Sequence, residues 1–500
     1  MPGNNKCILP SRMIIPAVAG GGVLAWFAMP WQPLPALAIL ASCSALLACL
    51  LVQKNLLPAY MKTIAFLLPF STPLPFLQGS MIRIPTEPMI GLAIIILPMY
   101  LVNEQRQANK PHWKETVFVL PLLGAYLLST LFSEMLPVSL KFSFVNIAYI
   151  LVFYVLLLHL FRKHPGLFPA MAGLYGVGLL LVWLWSLHQY AHYDWNPLVM
   201  RGIFRPFYND HTIFGASAAM LSVLFLGQGM RKNSLPGPVT GTVAGLLFAI
   251  AVVYSTSRGA LLGLLFAAML ALILALKPRP AVLATGFAAL LLAGILLYPV
   301  MRDRMLPAKP VCSEPGIEAE GPAAMAAVEP ADVSSLERLN RWVSAWRMFR
   351  ERPLTGFGPG TYQFVYIPYQ DERLMNRLTV TDPLNPPEGS GGTAHSEYLL
   401  LLSETGIAGL MAFLLLMGRW SWLVLRQWRD HPKKAEMGVA LAALSTYVLH
   451  ALVNNFLTTD KFAFLFWGTA AWLVARHHAD GRLERPGGKA EENARKKQTI

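Results

Sequence analysis

The feature that most constrains this chain is a series of apolar stretches, each about 17–25 residues long, that recurs almost from end to end. A helix of that length satisfies its own backbone hydrogen bonds inside a bilayer. Of the 500 residues, 55% are hydrophobic and 14% are charged, whereas soluble proteins carry about 25% charged residues. The sequence therefore predicts an all-α polytopic membrane protein with about 12–14 transmembrane helices.

We place about fourteen apolar segments along the chain. Those of the first half lie at 13–29, 34–52, 60–77, 88–102, 116–133, 142–161 and 167–190. The remainder lie at 211–227, 239–254, 259–276, 281–300, 397–425, 436–455 and 461–476. The third segment is the weakest as a helix because it contains Pro69, Pro73 and Pro75.

The loops that connect these segments are alternately rich and poor in basic residues. The loops on one side are rich in Lys and Arg, whereas the short loops on the other side hold only Arg83, Lys141, Arg201, Arg205, Arg258 and Lys461. Loops rich in basic residues stay in the cytoplasm. The alternation therefore predicts an even number of spans with both termini cytoplasmic, and it accounts for the net charge of +14 without nucleic acid.

This topology divides the chain into four regions. Residues 1–300 carry about eleven spans, residues 301–396 form one large outer loop, residues 397–477 form three closing spans, and residues 478–500 form a basic cytoplasmic tail. Residues 307–332 are rich in Pro, Ala, Glu and Gly, a composition that predicts a flexible tether.

A helix follows the tether within the outer loop. The capping box Ser334-Ser335-Leu336-Glu337 predicts its start, and the pattern continues to Glu351. One face carries Leu339, Trp342, Trp346 and Phe349, with the arginines largely off that face. Two interpretations stay open: a helix on the membrane surface or over a cavity, and an ordinary packed amphipathic helix.

Arginines in the short outer loops are candidate anion ligands. Arg201 and Arg205 lie before Tyr208 and Asn209, and Arg258 lies between Ser257 and Gly259. A guanidinium group stays ionised and binds phosphate oxygens in a bidentate manner, so these residues suit a lipid-linked diphosphate. The alternative is that each arginine extends to lipid headgroups.

Other polar residues of the outer side suggest a base but no metal. His395 ends the large loop just before an apolar segment and suits a general base, while Glu397 either orients it or replaces it. The stretch 356–360 (Gly-Phe-Gly-Pro-Gly) predicts a tight turn more than an anion site. Asp210 and His211 have no third ligand of suitable spacing, and the four cysteines show no metal spacing, so no metal is predicted.

These motifs together resemble the O-antigen ligase/polymerase family of bacterial envelopes. The resemblance rests on three groups of residues, which follow one another along the chain. They are Arg201-Gly202-Ile203-Phe204 with Tyr208-Asn209; Ser257-Arg258-Gly259; and the loop segment from Leu336 to Tyr362 with Arg341-Trp342, followed by His395-Ser396-Glu397-Tyr398-Leu399 and Glu404-Thr405-Gly406-Ile407-Ala408-Gly409-Leu410. The resemblance extends from about residue 200 to 470, and Ser396 departs from the Asn of many relatives.

The resemblance implies a glycosyltransferase of the inner membrane. It implies that the enzyme needs no cofactor or metal and inverts the anomeric configuration of the transferred sugar. It implies transfer of a glycan from undecaprenyl diphosphate to lipid A–core on the periplasmic face. Arg201, Arg205 and Arg258 would bind the diphosphate, with Tyr208, Asn209 and Arg341 in support, and His395 or Glu397 would activate the acceptor. A polymerase that joins lipid-linked repeat units remains the alternative within the family.

Two other classes of protein fit parts of the pattern. A flippase for lipid-linked oligosaccharides explains the spans and the outer arginines, but not a long structured loop late in the chain. A scaffold of an envelope complex explains the loop helix, but it predicts that substitutions at Arg258 or His395 are silent.

Overall fold

The computed structural model describes residues 47, 56–75, 81–106, 113–196, 199–200, 202–229, 237–276, 333–382, 392–428 and 435–483. The apolar segments predicted at 13–29 and 281–300 and the tether predicted at 307–332 therefore lie outside the described residues. So do the segment predicted at 34–52, apart from residue 47, and most of the predicted tail.

Helices make up most of the described chain. In chain order they are α1 (Leu57–Leu67), α2 (Thr86–Arg106), α3 (Trp113–Thr116), α4 (Leu120–Leu131), α5 (Leu136–Tyr149), α6 (Leu157–Lys163), α7 (Leu167–His192), α8 (His211–Gly229), α9 (Pro238–Tyr254), α10 (Arg258–Leu276), α11 (Val333–Glu351), α12 (Tyr362–Val365), α13 (Glu397–Trp428), α14 (Ala435–His450) and α15 (Asp460–Leu483). A π-helical segment, Ile150–Leu156, connects α5 to α6.

Several of these helices are suited to a bilayer by length and composition. Within the described residues, six candidate spans are Thr86–Glu104, Leu136–Lys163, Leu167–His192, His211–Gly229, Arg258–Leu276 and Glu397–Arg426. Leu57–Phe70, Val117–Leu131 and Pro238–Tyr254 are shorter apolar helices. The chain is an all-α polytopic membrane protein, as predicted. The total of about 12–14 spans stays a prediction.

The third apolar segment does not continue as a helix to residue 77. After α1, one 3-10 turn ends at Phe70, and strand β1 (Thr72–Pro75) then pairs with strand β2 (Met81–Ile84) as an antiparallel hairpin. Proline has no backbone N–H for a helix, so the two prolines of β1 end the helical pattern. The prediction of a helix over the whole of 60–77 was wrong in its second half.

The described chain forms two compact units. The first comprises residues 1–113 and 148–209, and the second comprises 114–147 and 210–500. In the first unit α1 packs against α7, where a Cβ on Gly178 would lie 2.8 Å from the carbonyl oxygen of Phe66. Lys163 Nζ of α6 bonds Glu104 Oε1 of α2 at 2.9 Å.

Small residues bring the helices of the second unit close together. α8 packs against α9 and α14, and α10 packs against α14. A Cβ on Gly241 would lie 2.8 Å from the backbone nitrogen of Gly229, and one on Gly263 would meet the carbonyl of Thr446. Close backbone approach through small residues is the usual way in which helices associate in lipid.

The loop helix α11 begins and ends as predicted but buries a different face. Its buried side chains include Glu337, Asn340, Arg341 and Met348, whereas Trp346 is 51% exposed. The buried face packs on Phe357, Tyr362, Tyr366, Val380, Ala394 and Leu400. The packed interpretation of this helix therefore holds, although the face predicted from Leu339, Trp342, Trp346 and Phe349 is not the one in the core.

The Gly-rich stretch forms a tight turn that docks on α13. Phe357 N donates to the carbonyl of Ser403 at 3.0 Å, and Gly358 N donates to that of Glu404 at 2.9 Å. Tyr362 N donates to Glu404 Oε1 at 3.1 Å. These backbone N–H groups are thus used within the protein, in accordance with the predicted turn.

A break in α13 accompanies this docking. Gly406 has φ 64° and ψ −167°, a conformation that is essentially restricted to glycine. Ile407 N donates to the carbonyl of Pro353 at 2.8 Å across the break. Glu397–Thr405 is thereby separated from the remainder of α13 and tied to the outer loop.

Candidate functional site

Several helix ends of the second unit meet at one place. Glu397 N, at the start of α13, donates to the carbonyl of Ala451, just after α14, at 2.9 Å. Gly259, at the start of α10, lies against the ring of His450, because a Cβ there would be 2.6 Å from Nε2. The charge of Asp210, just before α8, acts on both His395 and His450. Predicted outer loops thus lie together in this unit.

His395 occupies a constrained position at this meeting point. Its φ is 48°, in the left-handed region that residues with a side chain rarely adopt. Trp342 Nε1 of α11 donates to its carbonyl at 3.3 Å, and Arg341 Nη1 donates to the carbonyl of Thr393 at 2.9 Å. α11 therefore fixes the backbone of this turn.

The environment of His395 keeps its imidazole neutral. Burial lowers the pKa of His395 to about 4, and the positive charges of Arg341 and Arg338 act in the same direction. Asp210 and the hydrogen bond to Asn454 oppose this shift of the pKa but do not reverse it. A neutral imidazole has one nitrogen lone pair available at physiological pH, as a general base requires.

Glu397 is engaged in holding the structure. Its Oε2 accepts hydrogen bonds from the hydroxyl of Tyr447 and from Phe456 N at 3.1 Å and Leu457 N at 3.4 Å. The side chain is buried. These contacts tie the start of α13 to the segment that follows α14, and they favour a supporting role over that of the base.

Arg258 extends from a tight turn between α9 and α10. Thr256 in this turn has φ 53°, and Ala260 N donates to the Ser257 hydroxyl at 3.3 Å, which caps α10. The Arg258 side chain is exposed at the first residue of α10. The positive end of the α10 dipole adds to its charge, so this end of the helix favours an anion.

Arg341 lies behind the His395 turn. It is 1% exposed, and its Nε donates to Glu337 Oε1 at 2.8 Å. Its Nη2 has no hydrogen-bond partner among the described residues. The guanidinium also faces the ring of Tyr366, 5.5 Å from the centroid. Arg341 thus orders the loop below His395 and contributes positive charge there.

The remaining predicted residues belong to the first unit or lie outside the described residues. Arg201 lies outside the described residues. Arg205, Tyr208 and Asn209 belong to the first unit, where Arg205 is exposed and Tyr208 is buried. Asp210 Oδ1 accepts from Thr212 N at 2.8 Å and so caps α8.

Comparison with known proteins finds a match to the part of the chain that contains Arg258 and His395. Residues 243–414 match the family model described as O-antigen ligase. This segment is similar to the O-antigen ligase family. The match includes the Arg258 turn, α11, the Gly-rich turn and His395, so the resemblance inferred from the sequence is confirmed over a shorter range than 200–470. No curated protein matches the chain.

Two site residues were missed by sequence reasoning. His450 and Asn454 lie beyond the segment matched to the O-antigen ligase family. One signal was present, because His450 and the Asn454-Asn455 pair interrupt the outer end of an apolar segment, and polar groups near a span are expensive unless they have a function or a partner.

Proposed function

We propose that this protein is an O-antigen ligase-type glycosyltransferase that moves a glycan from undecaprenyl diphosphate to lipid A–core at the periplasmic face of the inner membrane. The observation that carries the proposal is the neutral, constrained imidazole of His395 within a family-matched segment that also contains the exposed Arg258. A base and an anion-binding cation are the two groups that such a transfer needs.

His395 acts on the acceptor in this proposal. Its free nitrogen takes the proton of an acceptor hydroxyl while that oxygen attacks the anomeric carbon of the donor glycan. The bond from the anomeric carbon to the phosphate oxygen breaks, and its electron pair leaves with undecaprenyl diphosphate. Attack opposite the leaving group inverts the anomeric configuration.

Arg258 acts on the leaving group. Negative charge grows on the diphosphate as the bond breaks, so a fixed guanidinium beside it stabilises the transition state more than the ground state. The N-terminus of α10 contributes in the same direction. Arg201 and Arg205 remain diphosphate ligands predicted from the sequence, with Tyr208 and Asn209 in support.

The outer loop restricts water. Arg341 and Trp342 of α11 hold the backbone of residues 393–395, and α11 packs on the start of α13. A loop that keeps water from the activated sugar prevents its hydrolysis. Glu397 and Arg341 support His395 in this arrangement.

The experiment is transfer of glycan to lipid A–core by the full chain purified in detergent, with lipopolysaccharide from a deletion strain as the cellular counterpart. A ligase deletion leaves bare core and accumulates lipid-linked polymer. Core that bears one repeat unit would instead identify a polymerase. A flippase would give no transfer in detergent, and that result would overturn the proposal.

A further inference from the structure

The outer lipid boundary of α13 can be located from the exposure of its side chains. Every residue of Glu397–Thr405 is buried or half-buried, whereas Ile407 is 37% exposed and Leu415 is 66% exposed. Ile407–Trp428 is about 33 Å long at a rise of about 1.5 Å per residue, enough to cross a hydrocarbon core of about 30 Å. The exposed apolar side chains from Ile407 onward therefore face lipid, and the outer edge of the hydrocarbon lies close to Gly406.

The outer end of α4 lies at the same level. α4 packs against α13, and its Ser129 Oγ donates to the carbonyl of Glu404 at 2.6 Å. Leu131 and Phe132, at the end of α4, are 76% and 59% exposed. Large apolar side chains that are exposed at the end of an apolar helix are expected to face lipid. Two helices of the second unit therefore place the lipid boundary next to Glu404 and Gly406.

The end of α11 is attached at this boundary. Ile407 N donates to the carbonyl of Pro353 at 2.8 Å. Arg352 forms an ion pair with Glu134, which follows the exposed end of α4. Leu354, which follows Pro353, is 71% exposed. The outer loop thus presents an exposed apolar side chain where the lipid-facing surfaces of α4 and α13 begin.

One face of α11 continues this apolar surface away from the boundary. Trp346, Phe349, Arg350 and Pro353 have the spacing of neighbours on one side of a helix. Trp346, Arg350 and Pro353 are exposed, and the half-buried ring of Phe349 lies 5.3 Å from that of Trp346. Aromatic and aliphatic side chains with a basic residue beside them are typical of a helix in a membrane interface.

We propose that the anchor face, which we define as Trp346, Phe349, Arg350, Pro353 and Leu354, holds the outer loop in the membrane leaflet on its own side. Leu354 enters the edge of the hydrocarbon. Trp346 lies about 10 Å along α11 from Pro353, at the level of the headgroups, where tryptophan is common. Arg350 extends its guanidinium to lipid phosphates. The inference goes beyond the proposed function and does not depend on glycan transfer.

Lipid is favoured over a protein as the occupant of the anchor face. The face begins where α4 and α13 turn apolar side chains outward, so a protein that covered Leu354 would have to displace lipid from both helices. The opposite face of α11 is already packed against the core of the outer loop. The anchor face is thus the side of α11 that remains for the membrane.

The experiment measures the depth of spin labels in the full chain, with its four cysteines replaced by alanine, in phospholipid nanodiscs. Oxygen concentrates in lipid and a nickel chelate stays in water, so their collision rates with a label report its depth. The variant Leu354→Cys should place its label at the hydrocarbon edge, with Leu415→Cys about 12 Å deeper. The label of Trp346→Cys should lie further out than that of Leu354→Cys.

The water reference is Met375→Cys. Met375 is 42% exposed, and Thr379 of the same segment donates to Glu337 Oε2 at the other end of α11. If the label at Leu354 met the nickel chelate as often as the label at Met375, the anchor face would lie in water and the inference would be overturned. A label at Leu354 that met neither reagent would be covered by protein, which would also overturn it.

A second measurement tests whether Leu354 holds the face in place. A carboxylate is unfavourable at the edge of the hydrocarbon, so Leu354→Asp should raise the collision rate of the Trp346→Cys label with the nickel chelate. Met375→Asp adds the same charge elsewhere on the outer loop and should leave that rate unchanged. Equal rates in the two variants would contradict the anchor. Neither measurement uses a glycan donor, so their outcome is separate from that of the transfer assay.

Discussion

The Gly-rich turn and the His395 turn both use left-handed backbone, but they do so with different residues. Gly356, Gly358 and Gly360 have φ values of 67°, 113° and 78°. His395 and Thr256 adopt φ values of 48° and 53° with their side chains in place, and the other such residues in the described chain are Asp194 and Trp195. A residue with a side chain in this region costs of order 1–3 kcal/mol.

The contacts explain this difference. A Cβ on Gly360 would collide with the ring of Phe142, and one on Gly356 would collide with the backbone of Glu404. Packing therefore demands glycine in the first turn, which serves to dock the loop. The second turn keeps an imidazole despite the strain. We infer that substitutions in the first turn change stability, whereas substitutions in the second change the transfer reaction.

The largest expected effect is at His395. His395→Ala should lower kcat by roughly 10²–10⁴-fold, the usual contribution of a general base. The thermal midpoint in detergent should stay close to that of the unmodified protein, because alanine keeps the Cβ and therefore the same backbone strain. The control is His164→Ala, an exposed histidine between α6 and α7, which should transfer normally. Near-normal transfer by His395→Ala would place the base elsewhere.

The second largest effect on transfer is expected from substitution of Arg258. Arg258→Ala removes one cation from the leaving group and should lower kcat by about 10²–10³-fold, with partial recovery in Arg258→Lys. Arg373→Ala is the control, because Arg373 is an exposed arginine of the outer loop that pairs with Asp371. Equal losses in the Arg258→Ala and Arg373→Ala variants would show that charge alone, and not the position of Arg258, matters.

Gly360→Ala tests the Gly-rich turn, where substitutions are expected to change stability. The variant should lower the free energy of unfolding by about 2–4 kcal/mol, from left-handed strain and the collision with Phe142. Transfer per folded molecule should remain close to normal. Gly124→Ala is the matched control, since a Cβ there meets nothing within 4 Å. If Gly360→Ala unfolded with the same free energy as the unmodified protein, packing would not require glycine in this turn.

The smallest effect is expected from a change of pH on transfer by the unmodified protein. Because the pKa of His395 lies near 4, its imidazole stays unprotonated as pH falls from 8 to about 5. The value of kcat/KM should therefore be flat over that range and decline at lower pH as His395 gains its proton. An acid limb near the ordinary histidine pKa of about 6.5 would show that the burial of His395 has no effect on the reaction.

Apolar periodicity predicted most helices but not what they contact. α11 was found from its capping box, yet Arg341 rather than Trp346 lies in the core. Burial of Arg341 is stabilised by Glu337 and by the carbonyl of Thr393, which is 52 residues away along the chain. Local sequence could not reveal that partner.

The residues of the candidate site also fall into those that the sequence predicts and those that only the tertiary structure reveals. His395 and Arg258 stood out because polar residues at the ends of apolar segments are uncommon. His450 and Asn454 acquire meaning only through tertiary structure, because His450 lies against Gly259 from a distant segment and its Nε2 lies 2.9 Å from Asn454 Nδ2. The hairpin of β1 and β2 is not evident from the sequence, because the prolines of β1 disfavour a helix without predicting a strand.

The break at Gly406 affects how the bilayer acts on the site. A continuous α13 would transmit every change of tilt to its first residues, and helices tilt when membrane thickness changes. Gly406 interrupts the helix, and Glu397–Thr405 is fastened to the outer loop and to Ala451 by hydrogen bonds of its own. We therefore expect the position of His395 to depend less on the thickness of the surrounding bilayer than a continuous α13 would allow.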